Sequence, residues 1–281
     1  MSGHLAGVVV YKMTGSGNDF VFVDGRFHPE SMWTPETVQA ACDRRMGVGA
    51  DGLVVLEPGS GAGRVRFHFF NSDGSRAGMC GNAALCATRL AAWLELASAA
   101  GMVLETDSGE VRTRCLDDGP DRAELSLQAI TRLDEPGIAL EEGELGIVQS
   151  VVGVDHLVVH VEDVDRVPIE RRGAALRRHP AVGPAGINVN FVSRSADGWA
   201  MRTWERGVEG ETLACGTGAV ACGLYLARQG LIDFPWTVRS RSGRLLTASG
   251  TLQNGPVILA DPRLAGEGRL VFRAILEHVG R

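Results

Sequence analysis

The sequence predicts an α+β fold of two similar lobes. Two observations carry that expectation: a set of segments recurs at nearly constant spacing, and each copy mixes two-residue alternation with apolar helical spacing. GVGADGLVV (47–55) is matched by GPAGINVNF (183–191), with Gly49 and Gly183, and Gly52 and Gly186, each 134 residues apart. LETDSGEVRTRCLDDGP is matched by TVRSRSGRLLTASGTLQNGP, where Gly109 and Gly243 are again 134 apart and Gly119 and Gly255 are 136 apart. DFVFVD and HLVVHVED are offset by 137 from Asp19 to His156, and MCGNAALC and ACGTGAVAC by 135 from Cys80 to Cys215. Independent segments sharing one offset point to a duplicated unit.

Within each copy the order reads strand, loop, strand, helix, strand, strand, helix, then a strand pair. RVRFHFF (64–70) sets Val65, Phe67 and Phe69 against Arg64, Arg66 and His68, the period of a half-buried strand, and NSDGS closes it as a turn. The first helix of this copy is expected to run to DRRM (43–46). After Cys80, the residues Ala83, Ala87, Leu90, Ala91 and Leu94 fall at helical spacing. In the second copy WAMRTWE reads as a strand, RGVEGE as a loop and AVACGLYLARQG as a helix stopped by Gly230. The tail GRLVFRAILEHV has no counterpart and is expected to add a strand to an existing sheet. The lobes are therefore placed at residues 1–123, completed by 267–281, and at residues 124–266.

Composition narrows the function. At 281 residues and 44% hydrophobic content the chain can bury a sizeable core. It has no apolar run of about 18 residues, so no membrane span is expected. MSGHLAGVVVYKM lacks the basic, apolar and small-residue order of a secretory leader, so a cytoplasmic location is expected. A net charge of −6, not gathered into runs, gives no electrostatic surface for nucleic acid. Arg171, Arg172, Arg177 and Arg178 read as a solvated helix face. The six cysteines contain no CxxC and no zinc spacing, so no metal site is expected. Cys42, Cys86, Cys115 and Cys222 read as small buried hydrophobes.

Cys80 and Cys215 differ from those four. Each stands just before a glycine, at the junction of a loop and the first turn of an apolar helix. A helix N-terminus leaves backbone NH groups without intrahelical partners and carries partial positive charge. Those features make a thiol more acidic and can hold a carboxylate. A cysteine hydrolase leaves the second copy without a purpose, and a redox pair leaves the anion-binding turns unexplained. Two thiols on opposite faces of one carbon can remove a proton from one side and return it to the other.

At these residues the sequence resembles the diaminopimelate epimerase family. The matching motifs are KMTGSGNDFVFVD (12–24), FNSDGSRAGMCGNAALC (70–86), GINVNFV (186–192) and ERGVEGETLACGTGA (205–219), in the family's order. The resemblance implies two pseudo-symmetric lobes, each a mostly antiparallel sheet or barrel wrapped around a central helix. It also implies cofactor-independent conversion of LL- to meso-diaminopimelate, an isomerisation in lysine and cell-wall precursor synthesis. It makes Cys80 and Cys215 the thiol and thiolate pair, with His156 and Glu205 as polar partners beside them. Gly81, Asn82, Gly216 and Thr217 then hold the reacting α-carboxylate, and Asn18, Asn71, Asn188, Asn190 and Arg206 contact the substrate. The partner implied is a small-molecule amino acid, with no cofactor, nucleic acid or membrane, and a homodimer is left open.

One segment departs from the family pattern. Where the family carries asparagine near GNPH or NTGxPH, this chain reads SVVGVDH, with Val151, Val152, Val154 and Asp155. That leaves a related racemase of the same fold, acting on histidine, proline or hydroxyproline, as the alternative. Proline racemases carry histidine after the first CG pair, where this chain has Asn82. GSGNDF is followed by a strand pattern, not by the helix a dinucleotide site requires. A non-enzymatic two-lobed binding protein has no use for paired thiols.

Overall fold

The computed structural model describes residues 5–277. The chain divides into two compact units, Met1–Leu125 with Gly266–Arg281, and Ser126–Ala265. The ends of the expected first lobe, 1–4 and 278–281, lie outside the described residues.

The first unit runs β1 (Val9–Gly15), β2 (Asn18–Asp24), α1 (Pro35–Cys42), β3 (Gly52–Pro58), β4 (Arg64–Asn71), β5 (Arg76–Ala77), α2 (Gly81–Trp93), β6 (Met102–Thr106), β7 (Gly109–Cys115) and β8 (Arg122–Ser126). The second runs β9 (Leu133–Asp134), β10 (Glu144–Val152), β11 (Val154–Val161), α3 (Ile169–Arg177), β12 (Asn188–Ser195), β13 (Gly198–Glu205), β14 (Gly210–Thr212), α4 (Gly216–Arg228), β15 (Trp236–Arg239), β16 (Leu245–Leu252) and β17 (Leu259–Glu267). β18 (Arg269–Ile275) then pairs antiparallel with β1, so the unmatched tail does extend an existing sheet.

Strand pairing repeats in the same order. In the first unit β1 pairs β2 antiparallel, β2 pairs β3 in parallel, β3 pairs β4 antiparallel, β4 pairs β6 in parallel, and β6, β7 and β8 follow antiparallel. The second unit has the same order through β10, β11, β12, β13, β15, β16 and β17. Each unit ends in three strands where the sequence reading expected two. In the first unit the third, β8, is short: in RAELS only Ala123 and Leu125 are buried, too brief an alternation to stand out.

A largely buried helix lies against each sheet. α2 packs on β1, β2, β3, β6, β7 and β18, and α4 on β10, β11, β12 and β16. Ala83, Leu85, Cys86, Ala87 and Leu90 are buried in α2, and Ala219, Val220, Cys222, Leu224 and Leu226 in α4. Both helices are apolar almost all round, as an enclosed helix must be. Their C-terminal caps coincide as well. Leu96 N bonds Ala91 O and Glu95 N bonds Ala92 O, while Leu231 N bonds Leu226 O and Gly230 N bonds Ala227 O.

Three sequence expectations are corrected. α1, capped by Thr34 with Pro35 in the first turn, stops at Cys42 and does not reach DRRM. Asp43 is extended, and its carboxylate accepts from the backbone NH of Arg45 and Met46 at 2.7 Å each. Arg172 and Arg177 are buried, because Glu144 meets Arg172 at 2.7 Å and Glu209 meets Arg177 at 2.9 Å; only Arg171 and Arg178 face solvent. In β4 the face opposite Phe67 is not open either: His68 is buried between Glu57 and Arg76.

Candidate active site

Cys42, Cys86, Cys115 and Cys222 are free thiols. Cys42, Cys86 and Cys222 are buried as expected, and burial pushes each of these thiols well up, Cys42 to about 12. Cys115 is half-buried, with Sγ 3.8 Å from Thr88 O.

Cys80 and Cys215 occupy the same position in their units. Each is the N-cap of its helix, with φ/ψ of −132°/125° and −130°/104°, and neither side chain caps the helix. Each carbonyl opens the helical ladder, Cys80 O accepting from Ala84 N at 2.9 Å and Cys215 O from Ala219 N at 3.0 Å. The NH groups of Gly81 and Asn82, and of Gly216 and Thr217, are thus first-turn donors beside a sulfur.

Topology gathers the other expected residues at one end of the strands of each unit, and hydrogen bonds tie Asn18 to α2 and His156 to α4. β2 and β3 are parallel and β4 is antiparallel to β3, so Asn18 at the start of β2 and Asn71 at the end of β4 share one end of the sheet. Asn82 Nδ2 donates to Asn18 Oδ1 at 2.7 Å, and Asn18 Nδ2 donates to Asp51 Oδ2 at 3.1 Å. Asn71 Nδ2 donates to Ser75 Oγ at 2.9 Å. Asp51 also accepts from Arg44, which bridges to Asp19, and Lys12 meets Asp19 at 2.5 Å. Burial raises the Asp19 carboxyl, but the bonds from Arg44 and Lys12 outweigh it and hold Asp19 below the usual range. Sequence reasoning does not reach Asp51 as a support for Asn18, because that role depends on a pairing 33 residues apart.

In the second unit the same register places His156 opposite Asn188, with Glu205 at the end of β13. Arg206 N donates to Asn188 Oδ1 at 2.8 Å, and Arg206 Nη1 donates to Gly186 O at 3.2 Å. His156 is wholly buried, with Nε2 3.0 Å from Thr217 Oγ1, and Thr217 Oγ1 is 3.9 Å from Cys215 Sγ. Burial, then the charge of Arg206, lower the His156 pKa to about 3, so the ring is neutral at physiological pH. Asn190, expected among the substrate contacts, is wholly buried and its amide is engaged with His156, Leu157 O and Thr203. The departing SVVGVDH segment is the turn of the β10 and β11 hairpin, with Gly153 at φ +71° and Val151 and Val154 exposed.

A sequence model of the diaminopimelate epimerase family matches residues 10–127 and 149–255. The chain belongs to that family. It is 48% identical over 275 residues to the diaminopimelate epimerase of Gemmatimonas aurantiaca, covering 93% of this chain and 96% of that one. To the diaminopimelate epimerase of Aquifex aeolicus it is 39% identical over 248 residues, covering 84% and 88%. Among solved structures it is similar in fold to a PhzF-family phenazine biosynthesis protein from Bacillus anthracis, with TM-score 0.74 and 15% identity over 96% of this chain and 98% of that chain. A hydroxyproline epimerase from Agrobacterium vitis is similar with TM-score 0.65 and 19% identity, over 96% and 93%.

The family's cysteine motifs therefore coincide here with two helix N-caps of matching backbone geometry. Among the described residues no group of three or more His, Cys, Asp or Glu is placed to hold a metal ion, and no helix is long and apolar enough to cross a membrane.

Proposed function

We propose that Cys80 and Cys215 are the two proton-transfer groups of a diaminopimelate epimerase. The chain is an amino acid epimerase, an isomerase that interconverts LL- and meso-diaminopimelate in lysine biosynthesis. The thiolate of one cysteine takes the α-proton, breaking the C–H bond and forming S–H. The electron pair left on the α-carbon takes a proton from the other thiol on the opposite face. The product is the inverted centre, and the two sulfurs have exchanged protonation state, so nothing else is consumed.

The observation that carries this reading is the duplicated N-cap. The NH groups of Gly81 and Asn82, with those of Gly216 and Thr217, are suited to an α-carboxylate and to the charge that grows on it as the proton leaves. The α-hydrogen of an amino acid is a very weak acid, so water must be excluded while the sulfurs act. Glu205 and His156 serve as polar neighbours of the thiol chemistry. Asn18, Asn71, Asn188 and Arg206 take the far end of the substrate, and Asn190 acts behind them. A cytoplasmic location suits the reading, because both thiols must stay reduced.

Incubation with LL-diaminopimelate in deuterated water tests it. α-Deuterium incorporation with formation of the meso isomer is expected. Exchange confined to proline, hydroxyproline or histidine transfers the activity to the related racemases, and binding without exchange removes it.

A further inference from the structure

The orientation of the Asn190 amide is fixed by a group that can only accept. One amide terminus lies 3.2 Å from the main-chain carbonyl of Leu157, so that terminus is the NH2. The other, Oδ1, accepts from the Thr203 hydroxyl at 2.9 Å. The same NH2 is 3.1 Å from His156 Nδ1, which must then be the bare, accepting nitrogen. A neutral imidazole with a bare Nδ1 carries its proton on Nε2, and Nε2 faces Thr217 Oγ1 at 3.0 Å. With that oxygen already accepting, the hydroxyl's own hydrogen is released for Cys215 Sγ, 3.9 Å away. The neutral ring this requires is kept so by burial and by Arg206, the charged group that acts on it.

We infer that Asn190 and Thr203 are positioning residues: through the locked tautomer of His156 they make the Thr217 hydroxyl a donor to the Cys215 sulfur, favouring thiolate over thiol there. Only the catalytic consequence rests on Cys215 being a reacting thiol; the direction of the bonds does not. Gly218 leaves room for the arrangement, since a Cβ there would sit 2.1 Å from Asn190 Oδ1 and 3.1 Å from Cys215 Sγ. In the first unit apolar residues stand in place of this chain. Counted from the first parallel pair of each unit, His156↔Asn188 and Phe20↔Gly52, the positions of His156, Asn190 and Thr203 are held there by Phe20, Val54 and Phe69.

The full chain tests this with two readouts. Nitrogen NMR of the histidine rings should show His156 protonated on Nε2 and bare on Nδ1, without titration between about pH 5 and pH 9. Asn190→Asp, which offers Nδ1 an acceptor instead of a donor, should move the ring proton to Nδ1. The pH midpoint of Cys215 alkylation by iodoacetamide, followed on its own peptide by mass spectrometry, should then rise by about one unit. Thr217→Val should raise it similarly, and Thr217→Ser, which keeps the hydroxyl, should restore the wild-type midpoint. A wild-type His156 protonated on Nδ1 overturns the inference without any variant. So does a folded Asn190→Asp or Thr217→Val protein whose Cys215 midpoint has not moved. Failure of the epimerase reading is separate, appearing as absent α-deuterium exchange in the wild type while the thiol midpoints still report on Thr217.

Discussion

The two units share a chain path and differ in what surrounds the thiol. In the first, Phe20 and Phe69 meet edge to face at 6.1 Å, and polar support comes from Asp51 through Asn18 to Asn82. In the second, the aromatic positions are His156 and Thr203, and the support runs inside the sheet through Asn190 to Thr217. The backbone of a duplicated fold is therefore the constant, and the side chains on three neighbouring strands are the variable. Near-identical N-caps can thus present thiols with different preferences, as the proposed two-thiol reaction requires.

The comparison breaks most severely if the two caps are unequal in duty. Cys80→Ser and Cys215→Ser should each lower α-deuterium exchange by about 10²- to 10⁴-fold while the circular dichroism stays native. Full activity in either variant removes that residue from the chemistry.

Next in size is His156→Phe, which gives the second unit the first unit's residue. Exchange should fall by about ten- to a hundredfold, the worth of a hydrogen bond to a charged group. The variant should also change acid stability. His156 falls from 6.5 unfolded to about 3 folded, so its contribution is fully present above pH 6.5 and is lost as pH drops toward 3. Denaturant midpoints measured across that window should slope less steeply in the variant than in the wild type.

A smaller effect sharpens the comparison at the third helical residue, Ala83 in α2 and Gly218 in α4. Gly218→Ala should cost about 1–3 kcal/mol by forcing a methyl onto Asn190, and Ala83→Gly about 1 kcal/mol by loosening the helix. Equal losses in urea unfolding would mean that Asn190 yields freely. The smallest effect is at the caps, where Glu95 at φ +58° stands where the second unit has Gly230 at φ +69°. Glu95→Gly should raise stability by about 1 kcal/mol or less, read as a higher urea midpoint.

Much of the fold was legible in advance because duplication and periodicity are local signals. The 135-residue offset between Cys80 and Cys215 marked the same N-cap twice, and the alternation in RVRFHFF marked β4. Short β8 escaped notice, since a few alternating residues do not rise above chance, and nine-residue β17 escaped because Asp261, Pro262 and Arg263 interrupt its apolar pattern. Buried charge escaped as well: Arg172 and Arg177 sit in a polar helix, and partners distant in sequence, chiefly Glu144 and Glu209, 28 and 32 residues away, explain their burial.

By itself the sequence determined the lobes, the helix starts and the two cysteines, because capping, turn chemistry and apolar spacing act over a few residues. Tertiary structure decided which side chains stand behind those cysteines. Asn190 reads in sequence as one more asparagine in GINVNFV, and the position of Leu157 O across a parallel strand pair turns it inward to His156. A hydrogen bond's direction depends on what the partner atom already holds, and that is settled only when distant strands come into register.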